Sequence, residues 1–283
     1  MCRHLAYVGP ELRLSDLLTT QPRSLYEQSW APRLQRHGVV NADGFGIGWY
    51  PAHGDSDSIG NSHSASHGNR EPARYRRAVP IWADPNLPDL LRSIRSSAVI
   101  AAVRSATPLT SQDESAAAPF RSGKWLFSHN GSVPDWTTLP VGDLAAEDLL
   151  TMEARCDSAL LWALLSRRLQ AGEPADEAMK AVIALVVGAR PTARLNLLLA
   201  DGHTITATRH GDTLWYRTGA GAVLVASEPC DDPDGPDAWT EVPDGSILIA
   251  TRTEITVETE EVAIPKAPLA GPVAGLSERN HTS

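Results

Sequence analysis

The chain has 283 residues, of which 42% are hydrophobic, 21% charged and 6% aromatic. That is enough to bury a full core as one large domain or two small ones. The formal net charge of −9 comes with no Lys/Arg stripe to displace phosphate counterions, which argues against a nucleic-acid surface. No apolar run approaches the roughly 18 residues of a membrane span, and the opening MCRHLAYVGPELR lacks the apolar stretch of a secretory signal, so a cytoplasmic protein is expected. Alternation over Leu5 to Val8 and again over Phe45 to Tyr50 predicts two strands, with a Leu-spaced helical segment from Leu12 to Thr20 between them. Residues 53–70 are rich in Ser, Gly, Asp and Asn with a single Ile, a composition that builds no packed element and reads as a loop inserted between strands. Within it His63 and His67 have the spacing of helical metal ligands. The Ser and Gly around them oppose a helix, so they read as solvated.

Further along, Pro88 to Ser97 reads as a helix, and Ala98 to Val103 as a buried strand ending at Arg104. Trp125 to Ser128 reads as a strand ending at a turn, His129-Asn130-Gly131. Two helices follow, Ser158 to Gln170, opened by Cys156 or Asp157, and Ala175 to Val187, stopped by Gly188. Six strand-like segments complete the chain: Leu195 to Leu199, Thr204 to Thr208, Thr213 to Arg217, Ala222 to Ala226, Ser246 to Ala250 and Ile255 to Thr259. Strands, then two helices, then strands predict two sheets with helices packed on them. The domain is expected to span residues 1–262, followed by a Pro- and Gly-rich disordered tail at 263–283.

The chemistry starts at Cys2. Removal of the initiator Met1 ahead of a small side chain would leave a thiol and a free α-amine on one residue. A thiol near pKa ~8.5 is mostly protonated at neutral pH, and an amine near ~8 can take its proton. An N-terminal cysteine therefore carries its own base. The cysteines number three, Cys2, Cys156 and Cys230, an odd count without metal spacing, so neither a disulfide framework nor a zinc site is expected. No metal or cofactor is called for. His4 and His129 are the alternative bases.

Three further features share the sequence with Cys2: Arg104-Ser105-Ala106-Thr107, His129-Asn130-Gly131 and Asp157. Taken singly, Arg104 is a surface charge, Asn130-Gly131 a type I′ hairpin turn and Asp157 a helix cap. Together they suit cleavage of a γ-glutamyl amide. An Asn side-chain amide and a backbone N–H at Gly131 supply two oxyanion donors. An Arg forks onto an α-carboxylate, a Thr hydroxyl adds a third bond, and an Asp pairs with the α-ammonium. The alternating glycines of Gly44-Phe45-Gly46-Ile47-Gly48 are not a dinucleotide fingerprint, and they suit a strand passing close to Cys2 or to substrate.

Cys2, the R-x-A-T of Arg104 to Thr107, the HNG of His129 to Gly131 and Asp157 resemble, in order and rough spacing, the glutaminase domain of class II glutamine amidotransferases. These belong to the N-terminal nucleophile hydrolases. The resemblance implies an α+β fold, the four-layer αββα sandwich. It also implies Cys2 as nucleophile, Asn130 and Gly131 as the oxyanion hole, and Arg104, Thr107, His129 and Asp157 as the binding set for a small γ-glutamyl substrate. CRHLAYVG, RHGVVNADGFGIGWY, PIWADPNL, WLFSHNGSV and RCDSALLWALL are similar to a narrower group, the stand-alone γ-glutamyl hydrolases of ergothioneine biosynthesis. Those enzymes are understood to take glutamate from γ-glutamyl-hercynylcysteine S-oxide. The other readings are a glutaminase subunit feeding ammonia to a synthetase and an inactive γ-glutamyl-binding module. A trimethylammonium leaving group would suit an aromatic wall from Trp30, Trp49, Tyr50 or Trp82. Oligomeric state is not readable.

Overall fold

The computed structural model describes residues 2–51, 71–107, 110–142, 144–230 and 238–259. Alternate residues of the first strand, β1 (Arg3–Arg13), enter two different cores: Ala6 and Val8 face one, Leu5 and Tyr7 the other. That period of two is the local origin of the layered architecture. Two short helices follow, α1 (Leu14–Leu18) and α2 (Leu25–Gln28), then β2 (Phe45–Trp49), β3 (Ala73–Arg77), α3 (Leu87–Ser93) and β4 (Arg95–Val103). The middle of the chain gives β5 (Phe120–Ser122), β6 (Trp125–Ser132), α4 (Ala146–Leu150), α5 (Asp157–Gln170) and α6 (Ala175–Ala189). The remainder is β7 (Arg194–Ala200), β8 (Ile205–Arg209), β9 (Trp215–Gly219), β10 (Ala222–Ala226), β11 (Thr240–Glu241), β12 (Ser246–Ala250) and β13 (Ile255–Thr259).

The strands form a seven-stranded sheet in the order β11-β9-β10-β1-β4-β2-β3 and a six-stranded sheet in the order β13-β12-β8-β7-β6-β5. The sheets meet face to face through mostly small or branched side chains, Ala6, Val8, Ala98 and Ile100 against Leu126, Leu198, Ala200 and Ala207. The outer face of the first sheet carries Leu5, Phe45, Ile47 and Val99 and is covered by α1, α2 and α3 through Leu14, Leu18, Leu25, Leu87 and Leu91. The outer face of the second, with Phe127, Leu195, Leu197 and Leu199, is covered by α5 and α6. Helix, sheet, sheet, helix is the four-layer α+β sandwich expected from the resemblance.

Most sequence-based boundaries fall within a residue or two of the observed ones, with informative exceptions. The turn expected at His129-Asn130-Gly131 is strand: β6 runs on to Ser132, with Asn130 opposite Asn196 and Gly131 opposite Leu195. Glycine is needed there for a different reason, because a Cβ at Gly131 would lie 1.9 Å from the Arg194 carbonyl oxygen. Gly188 does not stop α6, which continues to Ala189 because buried Val186 and Val187 hold its last turn against the core. The edge strand β3, ARYRR, went unrecognised because edge charges hide any alternation. The insert at 53–70, with His63 and His67, and the tail at 263–283 lie outside the described residues.

Candidate active site

β1 enters the seven-stranded sheet at Arg3, opposite Val103; Val103 also faces Phe45, and Phe45 faces Arg77. Cys2 therefore sits at the end of the sandwich where β4 stops and Arg104 begins. A pocket at this end is lined by Cys2, Arg104, Thr107, His129, Gly131 and Asp157, with Ala116, Ala117 and Ala118 contributing an apolar wall. Six of the seven residues singled out from the sequence thus share one cavity. The seventh, Asn130, is fully buried beside it in β6.

Among the three cysteines only Cys2 is part-exposed. Cys156 also lines the pocket, but burial pushes its thiol up to about 12, so it stays protonated and poorly nucleophilic. Cys230 is buried under α2, where its sulfur accepts the Gln28 amide at 3.6 Å.

Arg104 has one free hand. Its Nη2 donates to Thr110 Oγ1 at 3.1 Å and to the Ser111 carbonyl at 2.8 Å, while Nη1 is buried without a partner. A buried cationic donor left unpaired is costly unless an anion completes it. Asp157 is not the cap of α5; Cys156 occupies that position. The Asp157 carboxylate accepts the Val133 N–H at 3.0 Å and the Ser158 N–H at 2.8 Å, which fixes its orientation and leaves lone pairs for a cation. Thr107 is exposed at the rim, its carbonyl receiving the Thr110 hydroxyl.

His129 has both ring nitrogens engaged. Nε2 lies 2.9 Å from the Arg194 carbonyl, which can only accept, so Nε2 carries the proton and Nδ1 receives the Ser158 hydroxyl at 3.0 Å. Asn130 is held by Ser227, whose Oγ takes its amide at 3.2 Å and the His4 backbone N–H at 3.0 Å. His4 is wholly buried, shares a hydrogen bond with Ser128 at 3.1 Å, and has its pKa held well below the usual value by burial and by the charges of His129 and Arg3. The guanidinium of Arg3, also wholly buried, lies 3.6 Å from Glu228, and burial lowers its pKa against the pull of that carboxylate. Glu228 in turn receives the backbone amides of Arg33 and Leu34.

Residues 23–220 match the glutamine amidotransferases class-II family. The chain belongs to that family. It is 37% identical over 257 residues to the gamma-glutamyl-hercynylcysteine sulfoxide hydrolase of Mycobacterium tuberculosis, covering 91% of this chain and 96% of that one. It is 38% identical over 258 residues to the protein of the same name from Mycolicibacterium smegmatis, covering 91% and 99%. In fold it is similar to a glutamine aminotransferase class-II domain protein from Silicibacter pomeroyi, with a TM-score of 0.61 at 23% identity over 91% of this chain and 99% of that one. The glutamine phosphoribosylpyrophosphate amidotransferase of B. subtilis matches with a TM-score of 0.59 at 16% identity, over 91% of this chain and 49% of that one.

Sequence reasoning missed Ser158, Ser227 and Glu228. Ser158 adjoins Asp157 and could have been read with it. Ser227 and Glu228 lie about a hundred residues or more from the groups they hold, with no local pattern to mark them.

Proposed function

We propose that this protein is an amidohydrolase that removes glutamate from γ-glutamyl-hercynylcysteine S-oxide and releases hercynylcysteine S-oxide, acting in the cytoplasm without a cofactor. The observation that carries the reading is the joint placement of Cys2, the unpaired Nη1 of Arg104, Gly131 and Asp157 in one pocket. The 37% identity to a hydrolase of that name over 91% of the chain supports the substrate.

Once Met1 is removed, the α-amine of Cys2 takes the thiol proton and Sγ attacks the γ-carbonyl. The carbonyl oxygen becomes an oxyanion, received by the Gly131 N–H and the Asn130 amide. Arg104 presents Nη1 to the substrate α-carboxylate with Thr107 beside it, and Asp157 holds the α-ammonium. His129 forms a wall, its nitrogens committed to Ser158 and Arg194. Collapse of the tetrahedral adduct breaks the C–N bond, and the Cys2 ammonium returns its proton to the leaving nitrogen. Water, deprotonated by the same amine, then attacks the thioester; the C–S bond breaks, giving glutamate and the free thiol. Glutamate release from γ-glutamyl-hercynylcysteine S-oxide by the wild type, absent in Cys2→Ala, tests the reading. A marked preference for free glutamine would favour an ammonia-delivering glutaminase instead.

A further inference from the structure

Five of the seven large apolar side chains that stand exposed among the described residues are Trp30, Leu34, Val39, Val40 and Trp82. All but Trp82 belong to the loop between α2 and β2, and Trp82 touches it. The concentration marks a surface with a ligand to cover it. The loop is tied to the catalytic segment: the Asp43 N–H donates to the Arg104 carbonyl at 2.9 Å, and the Ala106 N–H donates to Asp43 Oδ2 at 2.8 Å. Trp82 follows closely on Arg77, which stands in the same cross-strand row as Phe45, Val103 and Arg3, the row that ends beside Cys2. The two tryptophans therefore flank the catalytic end of the first sheet.

Their rings meet edge to face at 85° with centroids 5.7 Å apart, and they remain 42% and 40% exposed. Tyr26 braces Trp30 at 89° with centroids 5.0 Å apart. Two part-exposed indoles at right angles leave π surface on each to solvent, the kind of surface that favours methylated ammonium over a hydrated primary one. The side chains of Arg33 and Arg36, on the same loop, form no ion pair among the described residues, and both residues are exposed. Their charge repels a bare cation and attracts a zwitterion. The other candidates for an aromatic wall are poorly placed, since Tyr50 is buried with its hydroxyl on the Lys124 and Ala200 carbonyls and Trp49 packs into the outer core.

We propose that the Trp30–Trp82 corner is the leaving-group subsite, the two indoles taking the trimethylammonium of a histidine betaine and the Arg33–Arg36 stretch its neighbouring carboxylate. This rests on the functional reading above and adds to it the residues that set its specificity. The test compares kcat/KM for γ-glutamyl-hercynylcysteine S-oxide with that for S-methyl-γ-glutamylcysteine S-oxide, which lacks the imidazole betaine. The ratio should fall about three- to thirty-fold in Trp82→Ala and Trp30→Ala and be largely restored in Trp82→Phe. Thermal melts of each variant show whether it is folded, and a second probe, inhibition by histidine betaine, should weaken in parallel. A ratio and inhibition within twofold of wild type in both alanine variants would overturn the proposal while leaving the hydrolase reading intact. Failure of the wild type to prefer the betaine substrate would instead remove the functional reading and this subsite with it.

Discussion

Ser227 Oγ stands 3.2 Å from the side-chain amide nitrogen of Asn130 and 3.0 Å from the backbone nitrogen of His4. One hydroxyl therefore joins the six-stranded sheet, which carries Asn130, to the strand that begins beside Cys2. Its own backbone is locked by Thr213, whose hydroxyl donates to the Ser227 carbonyl at 2.7 Å. If Asn130 donates to the oxyanion, its aim depends on this contact. Ser227→Ala should lower kcat about ten- to a hundred-fold, within what a displaced oxyanion donor costs, while KM moves little because Arg104 and Asp157 still hold the glutamyl end. The orphaned His4 amide should cost a further ~1–3 kcal/mol of stability, visible in a denaturant melt. An equal loss in KM would show that Ser227 merely supports the fold.

The nucleophile makes the sharpest demand. Cys2→Ala should abolish turnover with the melt unchanged, whereas alkylation of buried Cys156 and Cys230 should be negligible in the native protein. Any residue left ahead of Cys2 turns its amine into an amide and removes the base. Retained Met1 or an N-terminal tag should silence the enzyme without unfolding it, and proteolytic exposure of Cys2 should restore it. Full glutamate release from the blocked protein would shift the base elsewhere, and His129 is poorly suited because both its nitrogens are spent.

On the proposed reading, Arg104 does two jobs with two nitrogens. A lysine keeps the charge but cannot hold Thr110 and Ser111 with one nitrogen while presenting another to the pocket. Arg104→Lys should lose about ten- to a hundred-fold in kcat/KM, and affinity for the product glutamate should fall with it. Equal kcat/KM in the two proteins would place Arg104 outside the binding set.

His4 gives a pH dependence of known sign. Its folded pKa lies well below the usual 6.5, chiefly through burial, with the charges of His129 and Arg3 adding. The unfolded chain then binds more protons than the folded one below about 6.5. The stability associated with a neutral His4 is therefore complete above that value and lost as pH falls through it, with a slope approaching about 1.4 kcal/mol per pH unit. His4→Asn keeps a polar group for Ser128 and cannot titrate. The wild-type minus variant stability should fall between pH 7 and pH 5; a flat difference would show that His4 protonates freely in the fold.

Much of this was legible in the sequence because it was local. The alternation at Leu5 to Val8, Ala222 to Ala226 and Ser246 to Ala250 marked strands, and short motifs marked Cys2, Arg104 and Asp157. What escaped is non-local. Asn130-Gly131 has the composition of a turn, and only the opposing Arg194 carbonyl shows that its glycine serves a close strand crossing. Ser227 and Glu228 are ordinary residues whose importance comes from partners in distant parts of the chain. Charged β3 looked like loop because an edge strand needs charge more than pattern.

The buried carboxylate of Glu228 grips the loop after α2 by the main-chain amides of Arg33 and Leu34, not by their side chains. A grip on amides is indifferent to what the residues are. The path of that loop is thereby largely separated from its chemical identity: apart from Gln35, whose side chain takes the Asn41 amide and donates to the His37 carbonyl, and Gly38, whose φ of +76° favours glycine, the residues between Trp30 and Val40 can be exchanged while the loop keeps its course past Arg104. If that stretch meets the leaving group as proposed, a lineage, or an engineer, could change what departs from the glutamyl group by rewriting it, with Arg3, Glu228 and the cysteine beside them left as they are.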